Sequence, residues 1–212
     1  MAQFNEESLT SVTSYIKKLF SGNSSFPTVS VKSNIDKRTY IVRDLPDKQA
    51  AADLMAKLRR RLEDMMDYLI KTYPDKPQVQ RLKVNFKPDP SRLFESTPDA
   101  EHTSYSVNKG ESVYFCLRQR ESNQLVNENI MMFVALHEMS HMITQDIGHT
   151  PEFWNNFGWL LREAEKIKLY THEDFRSHPT LYCGVNITDS PKYDPNKDEG
   201  ASGTDFTIGK LS

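Results

Sequence analysis

The chain has 212 residues, of which 37% are apolar and 26% charged, so it suffices for one globular domain carrying polar loops or tails. No apolar run approaches the ~20 residues that span a bilayer, which excludes a membrane-spanning helix. A net charge of −2 gives no general attraction to nucleic acid. The one dense basic run, Lys57, Arg59, Arg60 and Arg61, shares a helical stretch with Glu63, Asp64 and Asp67 and reads as an ion-paired solvated face.

From Glu6 to Phe20, Leu9, Val12, Tyr15, Ile16 and Leu19 recur at helical spacing, and Ser21 to Ser25 with Pro27 end the pattern. Short strands are expected around Val29 to Val31 and Tyr40 to Val42. The longest helical pattern runs from Asp47 to Thr72, with Leu54, Leu58, Leu62, Met65 and Leu69 in steps of three and four, and closes at Tyr73-Pro74. A proline-punctuated stretch follows, read as loop with one strand near Leu82 to Phe86.

Thr103 to Val107, a turn at Asn108-Lys109-Gly110-Glu111, and Ser112 to Leu117 read as a hairpin. A helix is expected from about Asn127 through the histidine pair, with Gly148 ending that neighbourhood. Thr150-Pro151-Glu152 then supplies a hydroxyl N-cap, a proline at the first helical position and an acid in the first turn. Phe153, Trp154, Phe157, Leu160, Leu161 and Ala164 give that helix its apolar face. Beyond Ser190 the composition is that of a weakly ordered tail.

Cys116 and Cys183 stand far apart and form no C-x-x-C pair, which is not the pattern of a disulfide scaffold. Cys116, in an apolar strand-like run, reads as a packed thiol, and the protein as soluble in a reducing intracellular compartment, cytoplasm or nucleus. No signal-peptide core follows Met1, and a protein packaged in a virus particle would look the same.

The segment His137-Glu138-Met139-Ser140-His141 carries the chemistry. On a helix, residues four apart stack about 6 Å along the axis, so both imidazoles leave one face and can share one tetrahedral ion. Glu138 lies about 100° around the helix, close to the ion without being an obvious ligand, where it can serve as general base and then general acid. The apolar neighbours Ile130, Phe133, Val134 and Leu136 bury the segment, and buried histidines with a glutamate are costly unless something binds them. These residues point to one Zn2+ ion and a hydrolytic site, with Glu138 catalytic.

A catalytic zinc site keeps three protein ligands and one open position. His149, after Gly148 and before the capped helix, is the expected third ligand. Asp146, Glu152, Glu163 and Glu165 compete, Glu163 first among them because in glutamate-liganded zincins the acid sits on a later helix.

With Gly148-His149-Thr150-Pro151-Glu152-Phe153-Trp154 following the histidine pair, Val113 to Leu161 resembles the SprT-like and WLM metallopeptidases. Tyr182-Cys183-Gly184 resembles a segment of WLM-like proteins of large DNA viruses. The resemblance implies peptidase activity on a protein or peptide substrate. It also implies an α+β, zincin-like core: a small, mostly antiparallel sheet packed on the histidine-bearing helix, with a second helix after the third ligand. The strand Val113 to Leu117 would lie antiparallel to bound peptide.

Two departures qualify it: the spacer from His141 to His149 is longer than in several WLM members, and the basic extensions of crosslink-repair proteases are absent. The expected organisation is an N-terminal helix or extension over 1–25, a metallopeptidase domain over 26–187 and a tail over 188–212. Tyr182, His178 and His172 are candidates for oxyanion stabilisation, each with a structural alternative. The competing functions are a proteolytically silent zinc-binding relative and a DNA-associated protease using Lys57 to Arg61.

Overall fold

The computed structural model describes residues 25–188 together with Ser190 and Pro191. The helix expected over Glu6 to Phe20 and the tail after Pro191 lie outside the described residues. The first described elements form an antiparallel hairpin, β1 (Thr28–Lys32) and β2 (Thr39–Arg43), in which Tyr40 and Val42 turn inward while Thr39 before them and Ile41 between them are more exposed. Two helices follow, α1 (Lys48–Thr72) and α2 (Pro77–Asn85), and then β3 (Leu93–Glu95), β4 (Tyr105–Val107) and β5 (Ser112–Phe115). Next come α3 (Glu128–Ile143) and α4 (Pro151–Lys166), and a final small hairpin, β6 (Thr180–Tyr182) with β7 (Val185–Ile187).

The main sheet has the order β1-β2-β3-β5-β4. Its outer pairs are antiparallel, but β2–β3 and β3–β5 are parallel, so the sheet is mixed where a mostly antiparallel one was expected. The helices α1 and α2 supply the long crossover that a parallel β2–β3 pair requires. The predicted strand near Leu82 to Phe86 is the end of α2: Pro77 starts the helix, and Val79 and Leu82, three apart, share its buried face.

Leu54, Met55, Leu58, Leu62, Met65 and Leu69 of α1 join Leu93, Val113 and Phe115 of the sheet in the core. Helix α3 is the centre of the protein, with thirteen of its sixteen residues buried, so it has no solvent face for polar groups to escape to. Asn127 caps it by accepting from the Asn129 N–H, which fixes its start where the sequence places it.

The cysteines overturn the packed-thiol reading. Cys116 and Cys183 form a disulfide across 67 residues of sequence, tying the end of β5 to the turn of the β6–β7 hairpin. Their assignment to a reducing compartment therefore loses its basis. Among the described residues, no helix is long and apolar enough to cross a membrane.

Candidate metal centre

His137 and His141 leave α3 one turn apart, with ring centroids separated by 5.0 Å. His149, on the loop before α4, brings its ring to 5.0 Å from both. The ring nitrogens the three residues can offer all lie within 4.8 Å of one another, and His137 Nε2 is 3.2 Å from His149 Nε2. Two nitrogens held at about 2.0–2.1 Å by a tetrahedral ion lie roughly 3.3 Å apart, so the spacing fits a shared ion. His141 Nε2 is buried with no hydrogen-bond partner, as an atom kept for a ligand should be. Among the described residues, these three histidines form the group able to hold a metal ion.

Their electrostatics agree with that role. Burial, with His141 and His149 beside it, pushes His137 well below the ordinary histidine range. His141 is pushed down to about 4 by burial, then by His149 and Lys109, and burial also lowers His149. All three rings are therefore neutral at neutral pH, the state in which imidazole offers a lone pair.

Helix α4 walls the rings in. Phe153 lies 4.9 Å from His137, 4.3 Å from His141 and 4.7 Å from His149, while Trp154 stands 5.3 Å from His149. The entry angle of that wall is set by Thr150, whose hydroxyl accepts from the Phe153 N–H at 3.4 Å. Gly148 has φ +89 with open space where a Cβ would stand, so what the site asks of it is conformation and not room.

Glu138 is wholly buried, and neither carboxylate oxygen has a hydrogen-bond partner. Burial raises its carboxyl to about 8, against the opposing pull of the Ser106 hydroxyl and N–H. Ser106 sits on β4, opposite the core residue Val113 of β5, and so on the helix side of the sheet. Its approach to Glu138 has no signature in the sequence, since it arises from strand order.

The acidic alternatives to His149 are engaged elsewhere or lie outside the cluster. Glu163 accepts from the Tyr68 and Tyr73 hydroxyls at 2.8 and 3.1 Å and pairs with Lys166, away from the histidines. Glu152 pairs with Arg81, Glu165 stands 3.8 Å from His172, and Asp146 is exposed.

Among the oxyanion candidates, Tyr182 is buried close enough to Glu138 to feel its charge, but its hydroxyl is committed. It donates to the Cys116 carbonyl at 2.8 Å and meets Ser104 Oγ at 2.7 Å. His172 and His178 are exposed and stay outside the cluster. The basic run is also engaged: Lys57 and Arg61 pair with Glu128, Arg59 with Asp36, and Arg60 donates to the Ile35 carbonyl.

The strand expected to receive a peptide, Val113 to Leu117, lies inside the sheet and not at its edge. β5 has β3 on one side and β4 on the other, so its backbone hydrogen bonds are used. The edge beside Glu138 belongs to β4, whose outer side carries no strand among the described residues.

Fold and site together define an α+β protein with a mixed sheet, a buried His-Glu-x-x-His helix and a three-histidine cluster able to hold a metal ion. The chain belongs to the family of uncharacterized protein R325 of Acanthamoeba polyphaga mimivirus, to which it is 33% identical over 161 residues, 74% of this chain and 81% of that one. It is also similar to uncharacterized protein 042R of Invertebrate iridescent virus 3, with 40% identity over 53 residues, 25% of this chain and 33% of that protein. Uncharacterized protein 136R of Invertebrate iridescent virus 6 is 32% identical over 82 residues, 38% of this chain and 44% of that protein. No family model matches the chain, and no solved structure matches it.

Proposed function

We propose that the protein is a zinc-dependent metallopeptidase of the zincin type, with His137, His141 and His149 as ligands and Glu138 as the catalytic acid–base. The observation that carries this reading is Glu138 itself: a wholly buried carboxyl with no cation paired to it, adjacent in sequence to His137 and facing Ser106 of the edge strand β4. A structural clamp has no need of such a group, which is expensive to bury idle, and this disfavours the proteolytically silent alternative.

Zinc in this cradle supplies Lewis acidity to water and to the scissile carbonyl. Glu138, next to His137 on α3, takes the proton of the attacking water and delivers it to the leaving amine. β4 offers its free edge to an extended peptide, which adds as an antiparallel strand and is held by main-chain hydrogen bonds. Phe153 and Trp154 keep the imidazoles from rotating as substrate enters. No observation favours the DNA-associated alternative, since the cations it would use are held within the fold.

The setting we infer is one where Cys116–Cys183 stays oxidised. A virus particle meets that condition and a reducing cytoplasm does not, and the matched relatives are viral proteins.

The test is Glu138→Gln, assayed on unfolded protein substrates with zinc content measured in parallel. The variant should keep its zinc and lose cleavage by at least about a hundredfold. Cleavage at the parent rate would overturn the peptidase assignment.

A further inference from the structure

His149 reaches the cluster from a loop, eight positions after His141. Gln145, Asp146, Ile147, Gly148 and His149 are all exposed, and of the five it is the His149 ring that meets buried side chains, so the backbone path is set largely from outside the core. A ligand on such a loop loses affinity in proportion to the freedom that binding must remove. The loop is nevertheless gripped at both ends by one pair of side chains.

At its entrance, Arg81 of α2 donates through Nε to the Ile143 carbonyl, the last of α3. At its exit, Glu152 in the first turn of α4 reaches back to accept from the Gln145 N–H at 3.2 Å. The two side chains join at 3.1 Å, Arg81 Nη2 to Glu152 Oε1. The span from Ile143 to Glu152 is thereby closed into a ring through side chains, and the freedom left inside it is that of Asp146, Ile147 and Gly148. Lys109, from the β4–β5 turn, adds bonds to the Thr144 and Gln145 carbonyls at 2.6 and 2.9 Å. Asn156 holds the Thr144 hydroxyl at 2.9 Å.

We propose that Arg81 and Glu152 are positioning residues for the third ligand: they staple the loop that presents His149 and so set the affinity of the three-histidine cradle for its ion. This rests on the metal-site reading above. As a partly exposed ion pair the contact would be worth little alone. Its effect comes from each partner also holding the loop backbone, so that the pair ties the two grips together and its loss leaves the ends free to move apart. Groups that orient a metal ligand in this way typically contribute 10–100-fold in metal affinity.

The test measures zinc affinity by competition with a chromophoric chelator, together with the melting temperature of the metal-free protein, for wild type, Arg81→Met, Glu152→Gln and the double variant. Both single variants should bind zinc roughly 10–100-fold more weakly, and the double variant no worse than the weaker single one. The metal-free forms should melt within a few degrees of wild type, a result that a purely structural role for the pair would not give. Glu152→Gln removes the charge that holds Arg81 while keeping the side chain's length, so it stays informative if Arg81→Met fails to fold. Equal zinc affinity in wild type and a folded variant overturns the staple alone. A wild-type chain that takes up no zinc overturns the metal reading and the staple with it.

Discussion

Breaking the Cys116–Cys183 bridge is the perturbation whose size is best defined. The bond joins residues 67 apart, so in the unfolded chain it closes a long loop. The chain-entropy relation for a loop of that length gives about 4 kcal/mol of stabilisation. With a urea dependence of about 2 kcal/mol per molar, typical for a domain of this size, that is a shift of roughly 2 M in the unfolding midpoint.

The bridge also anchors a closed ring of hydrogen bonds. The Cys116 N–H donates to Ser104 Oγ at 2.9 Å, Ser104 meets the Tyr182 hydroxyl at 2.7 Å, and Tyr182 returns to the Cys116 carbonyl at 2.8 Å. Ser104 immediately precedes β4, so loss of the ring loosens the strand that faces Glu138. The assay is urea unfolding of the oxidised protein, the same protein under reductant, and a Cys116→Ser/Cys183→Ser double variant. Reductant should lower the wild-type midpoint to that of the variant and leave the variant unmoved. Identical midpoints for wild type with and without reductant would refute the reasoning, as would two titratable thiols in the native protein.

Other outcomes follow from single contacts. Gly110 has φ +108, and a Cβ there would stand 2.8 Å from the Asn85 carbonyl oxygen and 3.0 Å from Met142 Sδ, so Gly110→Ala should cost about 2 kcal/mol or more in denaturant unfolding; an unchanged midpoint would contradict the packing of that turn on α2 and α3. Tyr182→Phe leaves the Cys116 carbonyl without its donor and the Ser104 hydroxyl with the Cys116 N–H alone, and should cost about 1–3 kcal/mol. Because the Tyr182 hydroxyl is committed to those partners, kcat on a peptide substrate should stay within a few-fold of wild type; a loss of a hundredfold or more with the fold intact would restore Tyr182 as an oxyanion group.

What was legible in the sequence was local. Stacking of His137 on His141 follows from helical period alone, and the starts of α3 and α4 follow from Asn127 and from Thr150-Pro151 as caps. His149 could be aimed because a glycine and a capped helix bracket it within a few residues. The misread features are non-local. β3 has three residues and joins the sheet only because β2 and β5 offer parallel partners far along the chain. Leu82 to Phe86 is apolar enough for a strand, but it closes a helix that Pro77 starts and that packs on α1 and α3. The disulfide, the placement of Ser106 beside Glu138 and the Arg81–Glu152 contact each join segments whose proximity the fold alone creates.

The central claim is most directly tested by zinc titration of the metal-free protein, comparing wild type with His137→Ala, His141→Ala and His149→Ala. The account predicts one tightly held zinc per wild-type chain and loss of tight binding in each variant. A wild type that binds no zinc, or a His149→Ala variant that binds it as tightly as wild type, would contradict it.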